Sequence, residues 1–222
     1  MNHIRSLIVK FDNEISARDI IKFRGAVVSS MENSNVLFHN HNEEGLRYSY
    51  PLIQYKRIRK KAAIVCFGEG VDVISDFFTQ CNLQLRISDN VIELITDDIK
   101  AERTLIQLWE NPIAYRLRNW LPLNKENYTT FVNTDGLIEK AQLLENILNG
   151  NILSAMKGLN ISIQGKIQSV ISEISTPKMV KYKGVKLMSF DISFTSNISL
   201  PQYLGLGKHS SVGFGILTKK SR

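Results

Sequence analysis

The chain has 222 residues, 43% hydrophobic and 22% charged, which is the balance of a globular protein able to bury a sizeable core in one or two domains. Its opening stretch, MNHIRSLIVKFDNE, is too short in apolar residues for a secretory signal. No run approaches the roughly 18 apolar residues of a membrane helix, and Cys66 and Cys81 sit in apolar surroundings that do not suggest a disulfide scaffold. The expectation is a cytoplasmic protein with no membrane partner, whose net charge of +7 calls for an anionic one.

The first half reads as strand, helix, strand, strand, helix, strand. Ile4 to Phe11 is β-like, and Ser16 with Asp19 three residues on begins a helix whose Ile20, Phe23 and Val27 share a face. Ser49 to Ile58 is extended, and Ala62 to Phe67 is a continuous apolar run suited to a central strand. Val71, Ile74, Phe77 and Phe78 mark a second helix. Cys81, Leu83, Leu85 and Ile87 then alternate with polar residues as a strand, and Ser88-Asp89-Asn90 turns the chain into Val91 to Thr96. The order βαββαβ is the ferredoxin-like pattern.

The second half reads as a degraded copy. Thr104 to Trp109 is strand-like, and Pro112 and Pro122 bracket an irregular segment holding Arg116, Arg118 and Trp120. Leu137, Ala141, Leu144 and Leu148 give a helix closed by Asn149-Gly150. Ile161, Ile163 and Ile167, and later Phe190, Ile192 and Phe194, alternate with polar residues as strands on either side of a basic hairpin. The expected class is α+β, two tandem ferredoxin-like domains over residues 1–98 and 99–222.

The excess positive charge is clustered. Lys56, Arg57, Arg59, Lys60 and Lys61 form one block, and Lys178, Lys181, Lys183 and Lys186 a second; Lys208, Lys219, Lys220 and Arg222 lie near the end. Three blocks favour a polyanion, with nucleic acid ahead of membrane because no long amphipathic basic helix accompanies them. The aromatics Tyr48, Tyr50 and Tyr55 suit either base stacking or the core.

Four of the 13 glycines, Gly205, Gly207, Gly213 and Gly215, surround the turn Lys208-His209-Ser210-Ser211. Exposed amides, a lysine and hydroxyls in one loop suit a phosphate, while a tight hairpin is the alternative. A Walker loop is excluded, since Gly207-Lys208 is followed by His209 and Gln202 stands five before Gly207. The dinucleotide fingerprint is excluded too, because Ser210 replaces its third glycine and a strand-like run follows.

Two of the four histidines fall in Phe38-His39-Asn40-His41-Asn42, ahead of Tyr48. Solvated loop residues and metal ligation are two readings, the second needing a third ligand from Glu43, Glu44 or another partner. The third is general acid–base catalysis, for which an imidazole near neutrality is suited. RNA carries its own nucleophile in the 2′-hydroxyl, so a histidine pair, a tyrosine and a basic block make a sufficient set for cutting it; DNA would not react this way.

The run GLGKHSSVGFG at the C-terminus resembles the glycine-rich loop of the repeat-associated (RAMP) proteins of CRISPR systems. The tandem ferredoxin-like halves and the histidine after the first helix look like their pre-crRNA-processing endoribonuclease. The resemblance spans most of the chain. It implies cleavage within CRISPR repeat RNA without metal or cofactor, leaving a 2′,3′-cyclic phosphate and a 5′-hydroxyl. It makes His39 and His41 the base and acid, with Tyr48 orienting the nucleophile or sharing the proton transfer. RNA contacts would then come from Lys56, Arg57, Lys178, Lys181, Lys183, Gly205, Gly207, Lys208, His209, Gly213 and Gly215. Lys56 matches a catalytic lysine of some members only loosely and is placed in phosphate binding. The implied partners are CRISPR repeat RNA and subunits of a CRISPR effector complex, with the chain a monomer or homodimer. A non-catalytic crRNA-binding RAMP subunit, and a ferredoxin-like ligand-binding domain with no RNA role, are the alternatives.

Overall fold

A computed structural model describes residues 2–31, 35–39, 41–42, 45–46, 50–87 and 90–220, with the side chains at 39, 41, 42, 45 and 46 outside the description. The chain divides into two compact units. The first comprises His3–Thr104 together with Ser211–Gly213; the second comprises Leu105–Ser210, Phe214–Arg222 and the first two residues. The break therefore falls after Thr104 rather than after residue 98.

The first unit runs β1 (His3–Glu14), α1 (Ile20–Ser29), α2 (Val36–His39), β2 (His41–Asn42), β3 (Gly45–Leu46), β4 (Ile53–Ile58), β5 (Lys61–Phe67), α3 (Gly70–Gln80), β6 (Gln84–Ile87), β7 (Asn90–Glu93) and β8 (Thr96–Leu105). The sheet order is β4-β5-β1-β8. With β2–β3 and β6–β7 set aside as separate small hairpins, this is the ferredoxin-like arrangement of a βαββαβ chain. The all-apolar run of β5 has the position its composition requires, flanked on both sides by antiparallel partners and buried from Ala62 to Phe67. Ile20, Phe23 and Val27 of α1 and Ile74 and Phe77 of α3 supply the packed helix faces. Phe11 meets Phe23 and Phe77 edge-on at 6.1 and 6.3 Å.

The fourth strand differs from the sequence expectation. Gln84–Ile87 and Asn90–Glu93 pair as the side hairpin β6–β7, and Leu83, in a left-handed conformation at φ +61°, ends any strand before it. The sheet is completed instead by β8, whose mostly exposed, charged residues hide the alternation that reveals a half-buried strand.

The second unit runs β9 (Leu108–Trp120), α4 (Lys125–Asn133), α5 (Leu137–Gly158), β10 (Ser169–Ile174), β11 (Lys178–Tyr182), β12 (Val185–Ile198) and β13 (Ile216–Lys219). Its order, β10-β12-β9-β13, repeats the arrangement of the first. The segment read as irregular between Pro112 and Pro122 is mostly β9. Pro112 is tolerated because the β9–β12 register shifts between Ser196 and Ile198, where a missing N–H is harmless. Helix α5 passes through Asn149-Gly150, since Ile152, Ala155 and Met156 continue the buried stripe begun by Leu144 and Leu148. Ile161 to Gln168 is not a strand; β10 starts at Ser169, after Gly165 turns the chain at φ +115°. The basic hairpin forms as expected from β11 and β12, with Tyr182 opposite Val185 and a two-residue turn at Lys183-Gly184. Both turn residues have positive φ, +45° and +85°, as a type I′ hairpin demands. Among the described residues, no helix is long and apolar enough to cross a membrane.

Candidate active site

His39 ends a four-residue helical turn, α2. Asn35 starts that turn: its side-chain oxygen accepts from the Leu37 amide at 3.0 Å and its carbonyl from the Phe38 amide at 2.9 Å. Leu37 and Phe38 are sunk in the core of the first unit. The hydroxyl of fully buried Tyr55 donates to the Phe38 carbonyl at 3.3 Å, so the backbone is held immediately before His39. Burial pushes the Tyr55 phenol far up, which keeps the hydroxyl a donor at every ordinary pH. His41 lies on β2, paired with Leu46. The side chains of His39 and His41, and the whole of Tyr48, lie outside the described residues.

The glycine-rich segment is held chiefly by backbone pairing. Leu206 N–H donates to the Gly215 carbonyl at 2.9 Å, Gly215 N–H to Asn119 at 2.9 Å and Lys208 N–H to Leu121 at 3.2 Å; Gly205 bridges Ile216. Gly215, at φ +60°, lies so close to Leu206 that an added Cβ would overlap the Leu206 carbonyl. Gly207 is pressed likewise against Trp120. What these glycines approach closely in the free protein is their own chain. Ser211 to Gly213 belong to the first unit, where the Tyr55 N–H donates to the Ser211 carbonyl at 2.8 Å and Tyr55 forms a parallel bridge with Val212.

The structure treats the expected cationic contacts unequally. Lys178, Lys181, Lys183 and Lys208 are exposed; Lys178 makes a long ion pair with Asp191 at 3.7 Å. Arg57 is half-buried and donates through Nε to the Ile15 carbonyl at 2.6 Å, a structural bond within the first unit. The structure departs from expectation at Lys56, which is fully buried at 0% exposure rather than presented to phosphate. Every residue of β4 except Arg57 is buried, so Lys56 shares the fate of its strand, and burial pulls its ammonium down to about 7. Tyr50 and Tyr55 part company as well: Tyr55 is core, while half-buried Tyr50 accepts a hydrogen bond from Gln54 at 2.9 Å.

His209 stands in a left-handed conformation at φ +57° and stacks on Tyr182 of the basic hairpin, ring centroids 3.8 Å apart. Phe214 meets both rings edge-on, and the Lys183 ammonium lies 6.0 Å over the Tyr182 ring. Burial, then the charges of Lys208 and Lys183, hold the imidazole below its ordinary range, so it is neutral at pH 7. Within the second unit, the basic hairpin and the turn that carries Lys208 are thus joined by an aromatic stack.

Models of the Cas6b N-terminal domain and the Cas6b C-terminal domain match residues 2–104 and 107–220. The chain belongs to the Cas6b family. A crystal structure of Cas6b is 26% identical with a TM-score of 0.90, covering 99% of this chain and 100% of that one. The structure described as CRISPR RNA processing endoribonuclease Cas6b is 25% identical with a TM-score of 0.76, at the same coverage. Csf5, a type IV Cas6 crRNA endonuclease, is 12% identical with a TM-score of 0.59 over 99% of this chain and 100% of its own, a likeness of fold. An uncharacterized protein of Methanocaldococcus jannaschii is 35% identical over 135 residues, which is 60% of this chain and 89% of that protein. Endoribonuclease activity in CRISPR RNA processing is the activity of the Cas6b family.

Tyr182, Phe214 and the two bonds of Tyr55 escaped the sequence reading. Tyr182 carried a signal, an aromatic among alternating lysines in a hairpin, whereas nothing local marks its partner His209 as lying beside it. For a Cas6b chain, Tyr55 is the more instructive omission, because a tyrosine in an apolar strand gives no sign of which distant carbonyl its hydroxyl meets.

Proposed function

We propose that the chain cleaves CRISPR repeat RNA without a metal ion, through the RNA's own 2′-hydroxyl. Of His39 and His41, one takes the 2′-hydroxyl proton while the 2′-oxygen attacks the adjacent phosphorus; the bond from phosphorus to the 5′-oxygen breaks, and the other histidine protonates that oxygen. The products are a 2′,3′-cyclic phosphate and a 5′-hydroxyl. Tyr48 orients the nucleophile. The first unit supplies this loop, and the second the greater part of the glycine-rich loop. Lys178, Lys181, Lys183, Lys208 and His209, carried by the basic hairpin and the glycine loop, hold the RNA backbone, a contact that weakens with added salt. The repeat RNA is the principal partner, effector-complex subunits are further partners, and the reaction takes place in the cytoplasm.

The observation that carries this reading is the anchored turn before His39 in a chain of a CRISPR RNA processing family. Buried Leu37 and Phe38 and the Tyr55 hydroxyl fix the backbone from which the histidine springs. Positioning of that kind is what acid–base catalysis requires. The test is cleavage of repeat RNA in EDTA by the wild type, His39→Ala, His41→Ala and the double variant. We expect full metal-free cutting by the wild type and a loss of about 10²- to 10⁴-fold in the single variants. A 2′-deoxy substitution at the cut site is expected to abolish cleavage and leave binding intact. Cutting that survives in the double variant would remove the histidines from the mechanism, and cutting of the 2′-deoxy substrate would remove the internal nucleophile.

A further inference from the structure

We propose that Tyr55 is a positioning residue for the cleavage reaction: it ties the glycine-loop tip, Ser211–Gly213, to the helical turn that ends in His39. The inference rests on the reading of His39 as catalytic, and the tie itself is a matter of geometry within the first unit. Strand β4 stands at the margin of its sheet, with β5 on one side only. A strand presents its N–H groups in the plane of the sheet and its side chains across it, so one residue can hold two segments in two directions. Tyr55 does this. Its N–H donates to the Ser211 carbonyl at 2.8 Å in the plane, and its ring crosses the core, edge-on to Phe23 at 5.9 Å, until the hydroxyl donates to the Phe38 carbonyl at 3.3 Å.

The tip is fixed from its other side as well. Val212 is 3% exposed, and Gly213, at φ +86°, leaves only 2.6 Å between a hypothetical Cβ and Cδ1 of Ile20, the first residue of α1. Ile20 and Phe23 lie one helical turn apart on the buried face of α1. The chain of contact from Gly213 through Ile20 and Phe23 to Tyr55 closes on the bond between Tyr55 and Ser211. The loop tip and the turn before His39 share one rigid mounting.

Tyr55→Phe removes the hydroxyl and keeps the ring. In the full chain, single-turnover cleavage at saturating repeat RNA is expected to fall about tenfold, with affinity for the 2′-deoxy-blocked RNA within about twofold of wild type. Added to His39→Ala, the same change should cost nothing further. Cleavage by Tyr55→Phe within about twofold of wild type, or a full additional loss on the His39→Ala background, would overturn the proposal. The tie is also measured without RNA, by hydrogen exchange at the Leu37 and Phe38 amides. Gly213→Ala should speed their exchange about tenfold, and Ile20→Val, which deletes the offending Cδ1, should restore much of the protection. Unchanged exchange in Gly213→Ala would overturn the tie. A wild type that leaves repeat RNA uncut would instead overturn the proposed function, and the exchange rates would then decide the tie by themselves.

Discussion

The two units share a strand order and differ in their second crossover. In the first, the chain leaves β5 through helix α3 and returns to the sheet as β8; in the second, it leaves β12 through the glycine-rich loop and returns as β13. A helix satisfies its backbone internally and offers one apolar stripe, here Ile74 and Phe77. A loop must find each partner separately, and this one does so through Leu204, Leu206, Gly215 and Leu217, with two leucines buried beneath it. The difference teaches that the same topological step can be stabilised by side-chain burial or by backbone pairing. Only the second leaves lysine and imidazole groups at the turn, where an anion can reach them.

The largest expected effect falls on the helix. Phe77→Ala should destabilise the first unit by about 3–5 kcal/mol in chemical denaturation, since its fully buried ring touches Phe11 and Phe78. A loss below about 1 kcal/mol would break the comparison. Next comes the loop. Gly215→Ala combines positive φ with overlap on the Leu206 carbonyl, and a loss of about 2–3 kcal/mol is expected, centred on the second unit.

A third test contrasts the two cores. The buried polar residues of the second unit are serines, whereas the first buries Lys56. Its ammonium sits near 7 in the folded chain against 10.5 ordinarily, so between those values the unfolded chain holds the proton and the folded chain does not. The Lys56 contribution to stability should therefore rise with pH across that window, by at most about 1.4 kcal/mol per pH unit, and be constant above and below it. Lys56→Met should remove the slope across that window. A slope unchanged by Lys56→Met would assign it to another group. The smallest effect sharpens what a glycine means in each setting. Gly150 lies inside α5 with open space around a hypothetical Cβ, so Gly150→Ala should stabilise by about 1 kcal/mol and raise the melting temperature.

These contrasts show which parts of the fold were legible in the sequence. Strand β5 and helices α1 and α3 announce themselves because their burial is periodic or complete along the chain. Strand β8 does not, because a mostly exposed marginal strand leaves no alternation to read. Asn149-Gly150 misled because a stop signal worth about 1 kcal/mol yields to a buried stripe worth several. The glycine loop was legible as a turn, and its residues as a family mark; that its glycines lie against Leu206, Trp120 and Ile20 depends on distant chain. Lys56 was misread because a lysine among apolar neighbours looks the same in a string whether it is covered or not. The histidine pair was visible, while the hydroxyl that steadies its backbone was not.

The assignment of Ser211–Gly213 to the first unit bears on any attempt to divide this chain for expression. A fragment ending at Thr104 would contain all four strands of its sheet and both packed helices, yet lack the three residues that cap β4. The Tyr55 amide would face solvent from an uncovered strand edge, the kind of edge that recruits a strand from another molecule. Such a fragment is expected to self-associate, and a short peptide spanning 209–215 added in trans should return it to a monomer. The protein is thus two units in its packing but one in its covalent logic, with the last stretch of chain finishing what the first began.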